Sequence, residues 1–124
     1  MVKKNNIKGS YNKELLDEAG LKDVILRIKK EEIFGINVTI PFKKKIIPYL
    51  DDLSPEAKKS KSVNTVYKDN NKIVGHNTDI AGFELAVRYF KYDLKDKKVF
   101  IIGAGGVVPS LILALTSMKV SKIS

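Results

Sequence analysis

The chain has 124 residues, of which 44% are hydrophobic and 30% charged, a balance that excludes a disordered tail and gives one domain's worth of core rather than two. The absence of cysteine excludes disulfides, thiolate metal sites, iron–sulfur clusters and cysteine nucleophiles, and a single histidine, His76, argues against a histidine-rich metal centre. The net charge of +9 comes almost wholly from lysine, with Arg27 and Arg88 the only arginines and the lysines scattered from Lys3 to Lys122; this argues against nucleic acid as the main partner and leaves a surface that draws in small anions.

Ser10 to Leu15 reads as a short strand, and Leu21, Val24, Ile25 and Ile28, spaced i, i+3, i+4 and i+7, predict a helix with one apolar face. The pattern fades at Lys29 to Glu32, and Gly35 to Ile40 follows as a β-type run, so strand, helix and strand predict a parallel βαβ crossover. Pro41 ends that strand and is placed to open a helix over Lys43 to Ile47, which Pro48 ends or kinks. Ser54-Pro55-Glu56 supplies a cap, a first-turn proline and a first-turn acid for a short helix. Val63 to Tyr67 and Ile73 to Gly75 flank Asp69-Asn70-Asn71 as a hairpin. From Thr78 the period is helical again, with Ile80, Phe83, Val87 and Phe90 on one stripe and Asn77 or Thr78 as the cap. The charged stretch Asp93 to Lys98 marks a boundary, after which Val99 to Ile102 begins a new unit. Val99 to Met118 carries no charge and has the length of a bilayer span, but Gly103, Gly105, Gly106 and Pro109 divide it into strand, glycine turn and apolar helix. No basic-then-apolar leader opens the chain, so neither a membrane span nor a secretory signal is expected, and the expected location is the cytoplasm.

Four stretches carry residues suited to chemistry. Asn37-Val38-Thr39-Ile40-Pro41-Phe42-Lys43 places Thr39 and Lys43 at a strand end and helix start, where ligands of α/β sheets gather; Lys44 and Lys45 beside it leave a plain basic surface run equally open. Ser62-Val63-Asn64-Thr65-Val66 alternates polar groups with valines, either to meet a polyol or to face water. Asn77-Thr78-Asp79 puts a carboxylate in the first turn of a helix, where the dipole favours the anion, as a cap or as a working group. His76 is expected to be structural, since no second histidine or cysteine completes a metal site. Gly103-Ala104-Gly105-Gly106-Val107-Val108 follows a predicted strand and precedes a predicted helix, the setting of a dinucleotide fingerprint, with Val108 at the third glycine position.

In this order, GINVTIPFK, SVNTV, GHNTDIAGF and VFIIGAGG together resemble the shikimate dehydrogenase family from about Asn5 to the end of the chain. The resemblance implies an α/β protein: a catalytic domain with a mainly parallel sheet flanked by helices over residues 1–93, then the first βα unit of a Rossmann dinucleotide-binding domain over 94–124. It implies NADPH-dependent reversible reduction of 3-dehydroshikimate to shikimate, with no nucleic-acid or membrane partner and no metal. Lys43 matches the catalytic lysine and Asp79 its partner; Thr39, Asn64 and Asn77 match positions that contact substrate hydroxyls. Gly103, Ala104, Gly105, Gly106 and Val107 match the loop under the cofactor pyrophosphate. Against the family pattern, the chain is expected to open inside the first helix, after the strand and serine loop that grip the substrate carboxylate. Val107, Val108 and Pro109 replace small residues, and the residues that select NADP over NAD are expected beyond Ser124. A quinate-using relative and a non-catalytic small-anion-binding module are the alternatives, and the chain by itself is expected to be inactive.

Overall fold

The structure is a computed structural model that describes residues 8–124; the first seven residues of the predicted substrate domain lie outside the described residues. Helix α1 (Gly20–Lys29) buries Leu21, Val24, Ile25 and Ile28, the four residues of the predicted stripe. They form one core with Val38, Ile46, Ala57, Val63, Val66 and Ile73, each large apolar side chain contributing about 1.5–3 kcal/mol relative to exposure.

Strands β1 (Gly35–Asn37), β2 (Asp52–Leu53), β3 (Thr65–Asp69) and β4 (Lys72–His76) form one sheet in the order β1-β3-β4-β2. The α/β class with a helix-flanked sheet holds, but the pairing direction differs from the mainly parallel sheet expected: β1–β3 and β3–β4 are antiparallel and only β2–β4 is parallel. Ser10 to Leu15 is not a strand, so the predicted βαβ crossover into β1 does not form. Leu15 is 98% exposed, leaving that segment no apolar face to bury, and it is held instead by polar ties such as Arg27 Nη1 to Glu14 Oε1 at 2.8 Å.

The β3–β4 hairpin forms where the turn residues placed it. Asn70 and Asn71 both take positive φ (44° and 67°), the left-handed pair of a two-residue turn that matches strand twist and that asparagine tolerates. Helix α2 (Pro55–Ser60) starts at Ser54, whose Oγ accepts the Ala57 amide at 3.2 Å. Helix α3 (Asp79–Tyr89) follows β4, and its predicted stripe is only partly covered: Val87 is buried and Phe90 lies in solvent.

The helix expected over Lys43 to Ile47 is instead a run of turns ending in a 3₁₀ helix, Ile47–Tyr49. The Ile40–Pro41 peptide is cis. Phe42 N donates to Thr39 O at 2.9 Å and Ile46 N to Phe42 O at 3.0 Å, a single α-like turn. Pro48 has no N–H to continue that ladder, and Ile47 N bonds Lys44 O, three residues back, at 3.3 Å.

Beyond the charged boundary, β5 (Lys98–Val99), α4 (Val108–Ser117) and β6 (Lys122–Ile123) make a parallel pair in a second sheet. The ladder continues through Ile101 N to Ser124 O at 2.8 Å, so the unit is βαβ, one short strand more than the βα expected. Helix α4 packs on α3 and α2. No helix among the described residues is long and apolar enough to cross a membrane. Phe83, Val87, Phe90, Tyr92, Val99 and Leu115 line an apolar groove, and Phe100 and Ile102 lie exposed.

Candidate active site

The site is assembled by backbone bonds joining three segments. Val38 N donates to Asn64 O at 2.8 Å, Asn64 N to His76 O at 3.0 Å, and Val63 N to Lys43 O at 2.8 Å. The segment after β1, the entry to β3 and the exit of β4 are therefore in register, and the side chains that leave them meet. Lys43 Nζ lies 2.7 Å from Asp79 Oδ2, with the two side chains 13% and 20% exposed. Asn64 Nδ2 donates to the other carboxylate oxygen, Asp79 Oδ1, at 2.8 Å and to Thr78 Oγ1 at 2.9 Å, while Asn64 Oδ1 accepts the Thr78 amide at 3.0 Å. Both carboxylate oxygens are thus engaged, one by an ammonium and one by an amide, which fixes the carboxylate plane. This ammonium is a charged donor at a partly exposed edge with its counter-ion behind it.

The residues singled out from the sequence separate into two groups. Lys43, Asp79 and Asn64 come together. Thr39 is exposed on the approach to Lys43, open to a ligand. Asn77 does not join them: it is fully buried, with Nδ2 within hydrogen-bond reach of Ser62 O (2.8 Å), Ser110 Oγ (2.9 Å) and Ser60 Oγ (3.1 Å). Its Oδ1 accepts the amides of Asp79 (3.0 Å) and Ile80 (3.4 Å), so Asn77, not Thr78, caps α3. In this structure the side chain is enclosed by protein partners and caps α3, apart from the exposed approach to Lys43. His76 places Nδ1 3.8 Å from Glu56 Oε2, and the described residues hold no cluster of three metal-ligating side chains.

The glycine loop lies against this site. A Cβ on Gly106 would sit 3.8 Å from Lys43 Cδ and 3.6 Å from Ile40 Cγ1, whereas Gly105 faces open space. Gly103 has φ of +108°, a conformation that side chains rarely adopt. Among the described residues, the amides of Gly105, Gly106 and Val107 donate to no protein acceptor, and α4 begins without a side-chain cap. Free amides before a helix start, on an open glycine backbone, fit a dinucleotide pyrophosphate. Ala104 and Val107 are exposed on the same loop. The sequence pattern missed Ser60 and Ser110 and gave Ser62 only as the first residue of a polar stretch; their signal is that small hydroxyl residues occupy positions that prove fully or nearly fully buried.

Comparison with known proteins matches residues 1–66 to the shikimate dehydrogenase substrate binding domain. A shikimate dehydrogenase (NADP(+)) of Pelagibacter ubique is 52% identical over 122 residues, 98% of this chain and 46% of the relative. The shikimate 5-dehydrogenase of Thermus thermophilus, solved with NADP(H) and shikimate, superposes with a TM-score of 0.87 at 28% identity, over 98% of this chain and 46% of that one. The ligand-free 5-ketofructose reductase of a Gluconobacter strain gives a TM-score of 0.83 at 30% identity, over 98% and 44%. The chain spans about half the length of the curated relatives it matches. With the family match covering more than half of its residues, the chain belongs to the shikimate dehydrogenase family.

Proposed function

We propose that this chain carries the catalytic corner of an NADP-dependent dehydrogenase that reversibly reduces 3-dehydroshikimate to shikimate in the cytoplasm. Residues 1–93 serve as the substrate unit and 94–124 open the dinucleotide unit. The observation that carries the reading is the Lys43–Asp79 pair at 2.7 Å, braced by Asn64 and adjoining an open glycine loop. NADPH, when bound, would supply the hydride, and Gly103, Ala104, Gly105, Gly106 and Val107 would hold its pyrophosphate.

Reduction of a ketone leaves negative charge on oxygen, which a positioned ammonium stabilises and protonates. Lys43 does both, and Asp79, 2.7 Å from its ammonium, aims it. In the oxidative direction the same pair takes up the hydroxyl proton, Lys43 receiving it as the neutral amine that is left once the ammonium has given up a proton. Asn64 Nδ2 holds Asp79 by donating to its Oδ1, and Asn64 and the exposed Thr39 are the side chains assigned to substrate hydroxyls.

The test extends this chain to the full length of its relatives and follows reduced nicotinamide absorbance with shikimate, quinate and 5-ketofructose, each with NADP and with NAD. Turnover highest with shikimate and NADP supports the reading. A preference for quinate or 5-ketofructose overturns the substrate, and absence of turnover with all three, in a folded protein, overturns the enzyme in favour of a small-anion-binding module.

A further inference from the structure

Asn77 sits where the two units meet. It is fully buried, as is Ser110 in the first turn of α4, and the bond between them at 2.9 Å spans 33 residues. Through Oδ1 the same side chain caps the amides of Asp79 and Ile80. A single rigid amide therefore touches the helix that follows the glycine loop and the helix that begins with the site carboxylate. A weaker tie runs alongside, Ser62 Oγ to Gly106 O at 3.4 Å.

We propose that Asn77 and Ser110 are positioning residues that clasp the nucleotide loop to the Lys43–Asp79 corner, so that the placement of the dinucleotide and the orientation of Asp79 are set together. The dinucleotide part rests on the dehydrogenase reading above. Local hydrogen-bond satisfaction does not explain the arrangement. The Asn77 amide has two hydrogens for three acceptors, so removal of either the Ser60 or the Ser110 hydroxyl leaves both hydrogens partnered. The two serines tie Asn77 to different elements: Ser60, whose Oγ also donates to Glu56 O at 2.8 Å, ends α2 within the substrate unit, and Ser110 belongs to α4.

That difference defines the experiment. Ser110→Ala and Ser60→Ala are made in the chain extended to the full length of its relatives, and two quantities are read: NADPH affinity by fluorescence titration, and amide hydrogen exchange along Leu111 to Leu115. Loss of one hydrogen bond bounds the effect at about five- to tenfold. Ser110→Ala is expected to weaken NADPH binding and speed exchange in α4 by about that factor, while Ser60→Ala changes neither by more than about twofold. Equal behaviour of the two variants in both readouts overturns the clasp. If the parent protein binds no NADPH, the dehydrogenase reading fails, and the exchange comparison decides the clasp by itself: faster exchange in Ser110→Ala alone supports it, and equal exchange refutes it.

Discussion

Replacing Lys43 with methionine keeps the length of the side chain and its apolar stem beside Ile40 and Gly106 while removing the ammonium. In the folded protein the change leaves Asp79 20% exposed, still bonded by Asn64 and with solvent at one edge, so the cost to stability is about 1–3 kcal/mol, below that of breaking a fully enclosed pair. On the proposed mechanism the cost to the chemistry is larger, because the same group would both stabilise and protonate the developing alkoxide: kcat is expected to fall by about 10²–10⁴, or about 3–5 kcal/mol of barrier. Asp79→Asn lowers kcat by a similar route, through a misdirected lysine. Because the two act as a unit, the double variant falls little further than the worse single one. The assay is steady-state turnover of the full-length enzyme in both directions, beside a denaturation curve for each variant. Turnover of Lys43→Met within about tenfold of the parent, in a folded protein, refutes the assignment, and additive single losses refute the coupling.

Gly75→Ala tests the packing under the site. A Cβ there would lie 2.5 Å from Leu50 Cδ1 and 2.9 Å from both Leu53 Cδ2 and Val63 Cγ2, so a loss of about 1–3 kcal/mol in denaturant unfolding is expected; an unchanged midpoint shows that the leucines yield freely. Gly103→Ala meets a φ of +108° and is expected to strain the loop by about 1–3 kcal/mol, weakening NADPH binding with shikimate affinity intact. Acid is expected to destabilise the fold through four carboxyls held below their usual range. Glu31 is lowered by its bond to Lys68, Asp51 by the Ile73 amide, Asp52 by Lys58, and Glu56 by its own amide and the Ser54 hydroxyl. A depressed folded-state pKa gives stability that is complete above the unfolded value of about 4 and lost as pH falls below it. Stability measured against pH is therefore flat near neutrality and declines below that point, and Asp51→Asn shallows the decline; an identical slope in that variant refutes the contribution of Asp51.

What could be read before the structure was local. The Asn70-Asn71 turn, the Ser54 cap and the α1 stripe depend on neighbours within a few residues, and all three stand. Strand direction depends on partners far along the chain, which explains why Gly35 to Asn37 was expected beside a parallel neighbour and pairs antiparallel with β3. Ser10 to Leu15 has strand-like composition but no partner and no buried face. Lys43 and Asp79, 36 residues apart, were joined only by resemblance to a family, because nothing in spacing alone brings them together. Asn77 shows the converse: a motif places it next to Asp79, yet which way an asparagine turns at a helix start is decided by Ser60, Ser62 and Ser110, which no periodicity marks.

The ammonium, the carboxylate and the amide that braces them all come from residues 43 to 79, closed by a tight hairpin between neighbouring strands. Short loops close at low entropic cost, so the stretch that carries this polar corner gives up little chain entropy in bringing its groups together. A change confined to residues 43–79 therefore acts on all three polar groups directly, whereas one in the glycine loop or α4 reaches them through the contacts of Gly106 and Ser110.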